Sequence, residues 1–575
     1  MPPNQSNAAT VTVQEALQLL DVSHADLAKG VSRGEYAFWL GSGISRGRVV
    51  GLNGVLRKVI EFLRTRIDLA NADCSFRTAL SDVLSKAALS AAELARVDYA
   101  VDSQQWPDID TILVRLAEKY STVLEVSVQG HPTADYLLWE GTDFRQTFAH
   151  QGPDAEHLCI AVLAAEGVAT ELVSANWDGL LEAAAQELGL GTEIFRVCVT
   201  GTDFRGPAAA ARLLKFHGCA LRAIEDEAQY RPLLIARWSQ IVNWALNNAF
   251  TAMRTEVVSV ATNKRTLMIG MSAQDTNIQN LFLLARQQTP WAWDANPPAH
   301  IFATNEIGDG QRTILRASYG DPDFDANQAA IVARSCFRAY GKSLLCALML
   351  NLISDKLCML LERAQMPVRQ PNELEDLYGG IRHLRDAAGG AAHADVLSFV
   401  RAFVRHVARA KSILQEGRPS PENPVRYRPI TDRPSHYIPG DPNISGTGQI
   451  EAANALALLG LGMRDGHWEL TAGDIADPSS GVLRARSRLR EARLMFAAHD
   501  NADLRLFETG AYAEDDNDVI ILHSMDPRER QTRSPSRRLP GGHVGTRHVA
   551  VGKLARECRS LDDLRTLFRP LQSRS

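Results

Sequence analysis

A doubly wound parallel α/β sheet followed by a mostly helical α+β region is the fold this sequence predicts, on three observations. Strand-length apolar runs alternate with stretches of helical spacing through roughly the first 300 residues, the pattern of a parallel sheet covered by helices. Four of these runs close on small or polar residues, at the strand end where open α/β sheets bind ligands. Seven prolines, at 419, 421, 424, 429, 434, 439 and 442, then interrupt the chain before a further helical stretch and one strand.

In order, residues 12–30 read as an amphipathic helix leading into the apolar strand YAFWL (36–40). GVLRKVIEFLRTRI (54–67) repeats apolar residues at helical spacing, and 75–100, 110–126 and 154–166 read as further helices. Strands are predicted at 168–174, 193–199, 213–217, 265–270 and 300–304, with loops over 305–326. Residues 327–365 and 379–416 are helical. The apolar run LLCALMLNLI (344–353), broken by Asn351, is too short to span a bilayer and reads as a core helix. The proline-rich stretch excludes a helix or central strand and reads as a linker or wrapping arm. After it, 449–510 is predicted to be mostly helical, DVIILHS (518–524) a strand, and the basic 526–542 a solvated loop or a phosphate contact. The predicted domains are 1–310 (ligand-binding), 311–416 (helical), 417–448 (arm) and 449–575 (partner or assembly).

A chain of 575 residues exceeds one ordinary core. Its net charge of −5 gives it no bulk attraction for nucleic acid. Eight cysteines without a C-x-x-C pair fit a reducing compartment rather than a disulfide framework. The first residues carry neither the basic nor the apolar segment of a signal peptide, so a cytoplasmic protein without a membrane segment is expected.

The chemistry lies in the strand ends. After YAFWL comes GSGIS, whose Gly41 and Gly43 let the backbone approach a diphosphate; a ligand-free tight turn is the plainer alternative. Position 46 is Arg46, so the dehydrogenase fingerprint G-x-G-x-x-G is not met. VATELVSANWDGL (168–180) delivers Asn176 and Asp178 two residues apart, an uncharged amide and a carboxylate suited to ribose hydroxyls and water; Asp178 could equally cap the helix that follows. LLKFHG (213–218) delivers His217, a general base if its pKa stays near about 6.5, or a structural hydrogen bonder. RTLMIGMSAQDTNI (265–278) supplies Gly270 and Ser272, while Asp275 and Asn277 are either binders or helix caps; Asn305, after HIFAT, is a further contact of little specificity.

A Gly-rich turn, Asn-x-Asp, His-Gly and Gly-x-Ser in this order resembles the sirtuin family of NAD-consuming enzymes, over about the first half of the chain. The resemblance implies that Asn176 and His217 are catalytic and that Gly41, Ser42, Gly43, Ile44, Ser45, Asp178, Gly270, Ser272 and Asp275 contact NAD. Two departures separate the chain from protein-deacylating sirtuins. Between His217 and Gly270 there is one cysteine, Cys219, where deacylases carry a zinc-binding quartet, so no zinc is expected. The deacylase Pro-Asp-Phe-Arg sequence is replaced by RGRVVGLNG. The pattern is closer to the sirtuin-like effectors of bacterial antiphage defence, which hydrolyse NAD to ADP-ribose and nicotinamide. That resemblance implies control by a homo-oligomer, a DNA-translocating ATPase or a short Argonaute, exerted through the second half. A zinc-less deacylase and a non-catalytic NAD or ADP-ribose sensor are the alternatives.

Overall fold

The computed structural model describes residues 7–148, 152–293, 298–364, 371–419, 426–488, 490–525 and 545–568; the basic segment 526–542 lies outside them. Seven parallel strands form the first sheet: β1 (Tyr36–Leu40), β2 (Glu171–Ser174), β3 (Phe195–Cys198), β4 (Ala211–Lys215), β5 (Arg265–Ile269), β6 (His300–Ala303) and β7 (Cys336–Phe337). Their order is β3-β4-β2-β1-β5-β6-β7, so the chain builds outward from β1 in one direction and then in the other. In β1, Phe38 lies opposite Leu172 on one side and Leu267 on the other. Reversal beside β1 opens the crevice at which doubly wound sheets hold ligands.

The alternation along β1 shows why the strands read as continuous apolar runs. Tyr36, Phe38 and Leu40 enter a core made with helices Val13–Asp21, Ala155–Ala165 and Gly341–Arg363. Ala37 and Trp39 enter the opposite core, made with Thr251–Asn263, Thr276–Gln288 and Asp309–Tyr319. A parallel sheet covered on both faces needs apolar residues at every position. Helices between β1 and β2, among them Leu52–Arg64, Ser75–Lys86 and Ile109–Ala117, form a lobe with its own core, closed by Ala220, Ala223, Leu234 and Ala236 from beyond β4.

Several expectations are corrected. The 12–30 helix is two, Val13–Asp21 and Ala25–Ser32. The loops expected over 305–326 are largely helix: Asp309–Tyr319, then Asp321–Ser335, where Asp321 and Asp323 sit in the first turn beside Pro322, favourable for an N-terminus rather than a loop. The sheet therefore runs on to Phe337, past residue 310. Nor do the helices over 311–416 stand apart. Gly341–Arg363 buries Leu344–Leu352 against the first sheet and Cys358, Leu360 and Leu361 in the core of the second. The stretch 449–510 holds one long helix, Gln449–Arg464, and then strands β8 (Glu469–Ala472), β9 (Leu483–Arg486) and β10 (Glu491–Ala497) before helix Asp500–Glu508. With β11 (Val519–His523) and β12 (Arg547–Ala550) these make a sheet ordered β12-β11-β10-β9-β8.

The described part of the proline-rich segment wraps along helix Gly341–Arg363. Glu166 and Lys356 are both fully buried and pair at 2.6 Å. Lys356 also donates to the Glu166 and Thr431 carbonyls, each at 2.7 Å, while the Glu166 carboxylate accepts from Tyr427 Oη at 2.6 Å and the Ile430 amide at 3.1 Å. Removing one partner strands the other's charge, so Glu166→Gln or Lys356→Met should each cost about 3–5 kcal/mol in denaturant unfolding, and the Glu166→Leu/Lys356→Met pair less than the sum of the singles. Because β7 and helix Gly341–Arg363 complete the first domain, a fragment ending at residue 310 should show no cooperative melt by circular dichroism, whereas the full chain does.

Candidate functional site

The predicted residues converge at the carboxyl ends of β1, β2, β4 and β5. The turns after β1 and β5 lie backbone against backbone: the Gly41 amide donates to the Ile269 carbonyl at 3.0 Å and the Gly43 amide to the Gly270 carbonyl at 2.9 Å. A Cβ on Gly41 would stand 2.4 Å from the Gly270 oxygen, and Gly270 has φ +65° with the Ile44 nitrogen 2.6 Å from where its Cβ would be. Both glycines are thus required by the contact itself. The amides of Gly41, Gly43 and Ile44 are already bonded within the fold, so the backbone cradle expected of this turn is narrower than its sequence suggests. The side chains of Ser42 and Ser272 are exposed at the mouth.

Below them lies a web of side chains. Asn176 Nδ2 donates to the Gly41 carbonyl at 3.0 Å and contacts Ser45 Oγ at 3.4 Å. Ser45 Oγ donates to Asp178 Oδ2 at 2.8 Å. Asp178 Oδ1 accepts from the Leu180 amide at 3.2 Å, so the carboxylate serves both the helix start and the web. Trp177 projects the other way and packs on Phe144 and Phe148 of the helical lobe. The alternation of an extended segment thus sends Asn176 and Asp178 into the crevice while their neighbour anchors the lobe above it. Asn176, expected at a solvent-facing strand end, is only 9% exposed. Its Nδ2 is tied to the turn, which leaves Oδ1 as the end for a hydroxyl or water to approach.

His217 is 5% exposed, and burial pushes its pKa down to about 3 against the opposing hydrogen bond with Asn277. Asn277 Oδ1 accepts from the Ile278 amide at 2.9 Å, which turns Nδ2 toward His217 Nε2 at 2.8 Å. That assignment makes Nε2 an acceptor and places the ring proton on Nδ1. The expected imidazole near its ordinary pKa is therefore corrected: the ring is neutral throughout the physiological range. Asn277 is the residue that sets its tautomer. Asp275 stands at the N-cap position of helix Thr276–Gln288, but its carboxylate instead accepts from Tyr120 Oη of the lobe at 3.2 Å, and burial raises its pKa. Asn305 is drawn away from the web: its Oδ1 accepts from the Ala8 amide at 3.0 Å.

Three further residues escaped the sequence reading. His157 Nδ1 accepts from the Asp154 amide at 3.2 Å, so Nε2 carries the proton and faces Ser45 Oγ at 3.4 Å. Burial lowers its pKa, which keeps it neutral. Lys215, ending β4, is buried and donates to the Asp178 carbonyl at 2.6 Å and to Glu182 at 2.5 Å. Burial alone would lower its pKa, but Cys219, Glu182 and Asp178 outweigh that and raise it, so it stays charged. Glu156, beside the Gly341 backbone, is held up to about 7 by burial. The spacing Asp154-x-x-His157 at a helix start was the one local signal available for any of the three.

The fold and this edge define a Rossmann-like α/β protein with a polar cluster at its switch point. A search of protein families finds no match to the chain, and a search of curated proteins finds none either.

The buried neutral histidines carry a pH signature. His217 and His300, both at about 3, titrate in the unfolded chain near about 6.5, so the unfolded state binds more protons between those values and stability falls as pH drops below about 6.5. Glu156 opposes this over part of the range, because its raised pKa favours the folded state at lower pH. Calorimetry from pH 7 to pH 4 should show a falling Tm. His300→Phe, which removes one buried ring outside the web, should make the fall shallower.

Proposed function

We propose that the chain is a sirtuin-like NAD⁺ hydrolase, an effector of antiviral defence that assembly or a partner switches on. The reading rests on one observation above all: Asn176 and Asp178, after β2, share hydrogen bonds with Ser45, after β1, beside the β1 crossover, and His217 follows the neighbouring β4 at the same sheet edge.

In this reaction the bond between the nicotinamide nitrogen and ribose C1′ breaks, and its electron pair neutralises the pyridinium. Water forms the new bond to C1′ and its proton leaves to solvent. The transition state resembles an oxocarbenium ion. Asn176 Oδ1 suits a ribose hydroxyl or the attacking water, and a carboxylate at Asp178 complements the developing positive charge. A neutral His217 suits a cationic nicotinamide, which an imidazolium would repel; the ring acts as a hydrogen-bond partner and stays neutral throughout. Ser42 and Ser272 offer hydroxyls to the diphosphate.

The burial of Asn176 and His217 supports control by opening. A dinucleotide needs Tyr120 and the lobe to draw back from Asp275, and an assembly that favours the open form would raise activity without adding a catalytic group. A homo-oligomer, a DNA-translocating ATPase and a short Argonaute are the candidate switches.

The test is nicotinamide release from NAD⁺ by the purified full chain, alone and with each candidate partner. The switched-on protein should release nicotinamide, and Asn176→Ala should lower the rate by about 10²-fold or more. The acid limb of the pH profile should lie well below pH 6, since His217 is already neutral there. His217→Ala hydrolysing NAD⁺ at the wild-type rate would remove that residue from the mechanism. Tight NAD⁺ binding without release of nicotinamide would favour a sensor.

A further inference from the structure

A second cluster of chemically capable side chains stands in the second sheet. His523 closes β11 and is buried; His548 lies in β12, beside it, and is exposed; Asp503 comes from helix Asp500–Glu508 and is buried. The two strands are parallel, with Ile521 opposite His548 and His523 opposite Ala550. His523 Nε2 and His548 Nδ1 face each other at 2.8 Å, with ring planes inclined by 28°. One ligand atom each from Asp503, His523 and His548 lies within 4.8 Å of the others. Asp503 Oδ1 also accepts from Tyr512 Oη at 2.7 Å.

We propose that Asp503, His523 and His548 hold a divalent transition-metal ion of the Zn²⁺ class. Two imidazole nitrogens this close need a proton between them, and a cation can take that proton's place by accepting both lone pairs. Tetrahedral Zn²⁺ with Zn–N of about 2.0–2.1 Å sets its nitrogens about 3.3 Å apart, so the two nitrogens must part by about half an ångström and each ring must turn to aim its lone pair at the ion. Two nitrogens and one carboxylate suit zinc and its neighbours, whereas calcium and magnesium take oxygen ligands. Tyr512, by fixing one carboxylate oxygen, aims the other, as orienting groups around metal ligands do. Three protein ligands leave a fourth position for water or another donor.

The ion would tie helix Asp500–Glu508 to two adjacent strands of the sheet. β12 runs straight into helix Val551–Glu557, and Val551, Leu561 and Leu564 pack in the core with helix Gln449–Arg464. Pinning β12 to β11 thus secures the C-terminal helices against the rest of the second sheet. The expectation of no zinc came from the cysteines, and this ligand set contains none.

The experiment uses the full chain, stripped with chelator and freed of it. Stripped wild-type protein should take up one equivalent of Zn²⁺ that survives gel filtration, raise its Tm on doing so, and give tetrahedral visible absorption with Co²⁺. His548→Ala, altered at an exposed position, should lose all three responses while melting like metal-free wild type. Tyr512→Phe should weaken Zn²⁺ binding by about 10-fold or more. Equal metal uptake by wild type and His548→Ala, or no uptake, Co²⁺ absorption or thermal shift in wild type, would overturn the assignment.

Discussion

Lys356 and Glu166 meet where no water reaches either of them, and the two halves of the chain are joined around that pair. Glu166 caps the end of helix Ala155–Ala165, five residues before β2 begins. Lys356 sits in the second half of the helix that packs against both sheets. The arm supplies Tyr427, Ile430 and Thr431, so each polar atom of the pair is engaged. Two buried charges are tolerable only under that condition, because the desolvation of either one alone exceeds what a single contact returns. Nearby Lys411 donates to the Pro429 carbonyl, and burial lowers its pKa to about 8. The proline-rich stretch is therefore a strap whose carbonyls, amide and tyrosine hydroxyl satisfy a buried charged seam.

The strap reaches the candidate site through the sheet. Glu166 governs the approach to β2, and β2 delivers Asn176 and Asp178 to the edge where the β1 and β5 turns touch. At that edge polar groups are abundant but largely engaged with one another: Asn176 with Gly41, Ser45 with Asp178, His217 with Asn277, Asp275 with Tyr120. Such a web holds its members in place at low entropic cost. It is a preorganised but internally satisfied polar cluster.

The neutral histidines belong to the same logic. His157 and His217 are buried in and beside the polar cluster, where an extra positive charge would be left desolvated, and burial keeps both neutral without any partner having to compensate a charge. Lys215 is the exception, kept charged by three neighbours while it braces the backbone at Asp178.

Local pattern alone carried the seven-stranded sheet a long way. Apolar runs at 36–40 and 265–269, buried on both faces, leave no polar periodicity to mistake for anything else, and the glycines at 41, 43 and 270 mark a contact that admits no side chain. The strand ends bearing Asn176, Asp178 and His217 were legible for the same reason. What the sequence could not show were relations between distant segments. Asn277 reads as a helix cap until the fold sets it against His217, and the pKa of His217 follows from a burial that no local window contains. The strands over 469–497 were missed because their polar, half-exposed residues gain order only from neighbours across the sheet. Above all, Glu166 and Lys356 lie 190 residues apart, and the Lys356–Thr431 contact closes a further loop. A charge in an apolar helix looks like a flaw until tertiary packing brings its partner, since only the folded chain excludes the water that would otherwise have kept the two apart.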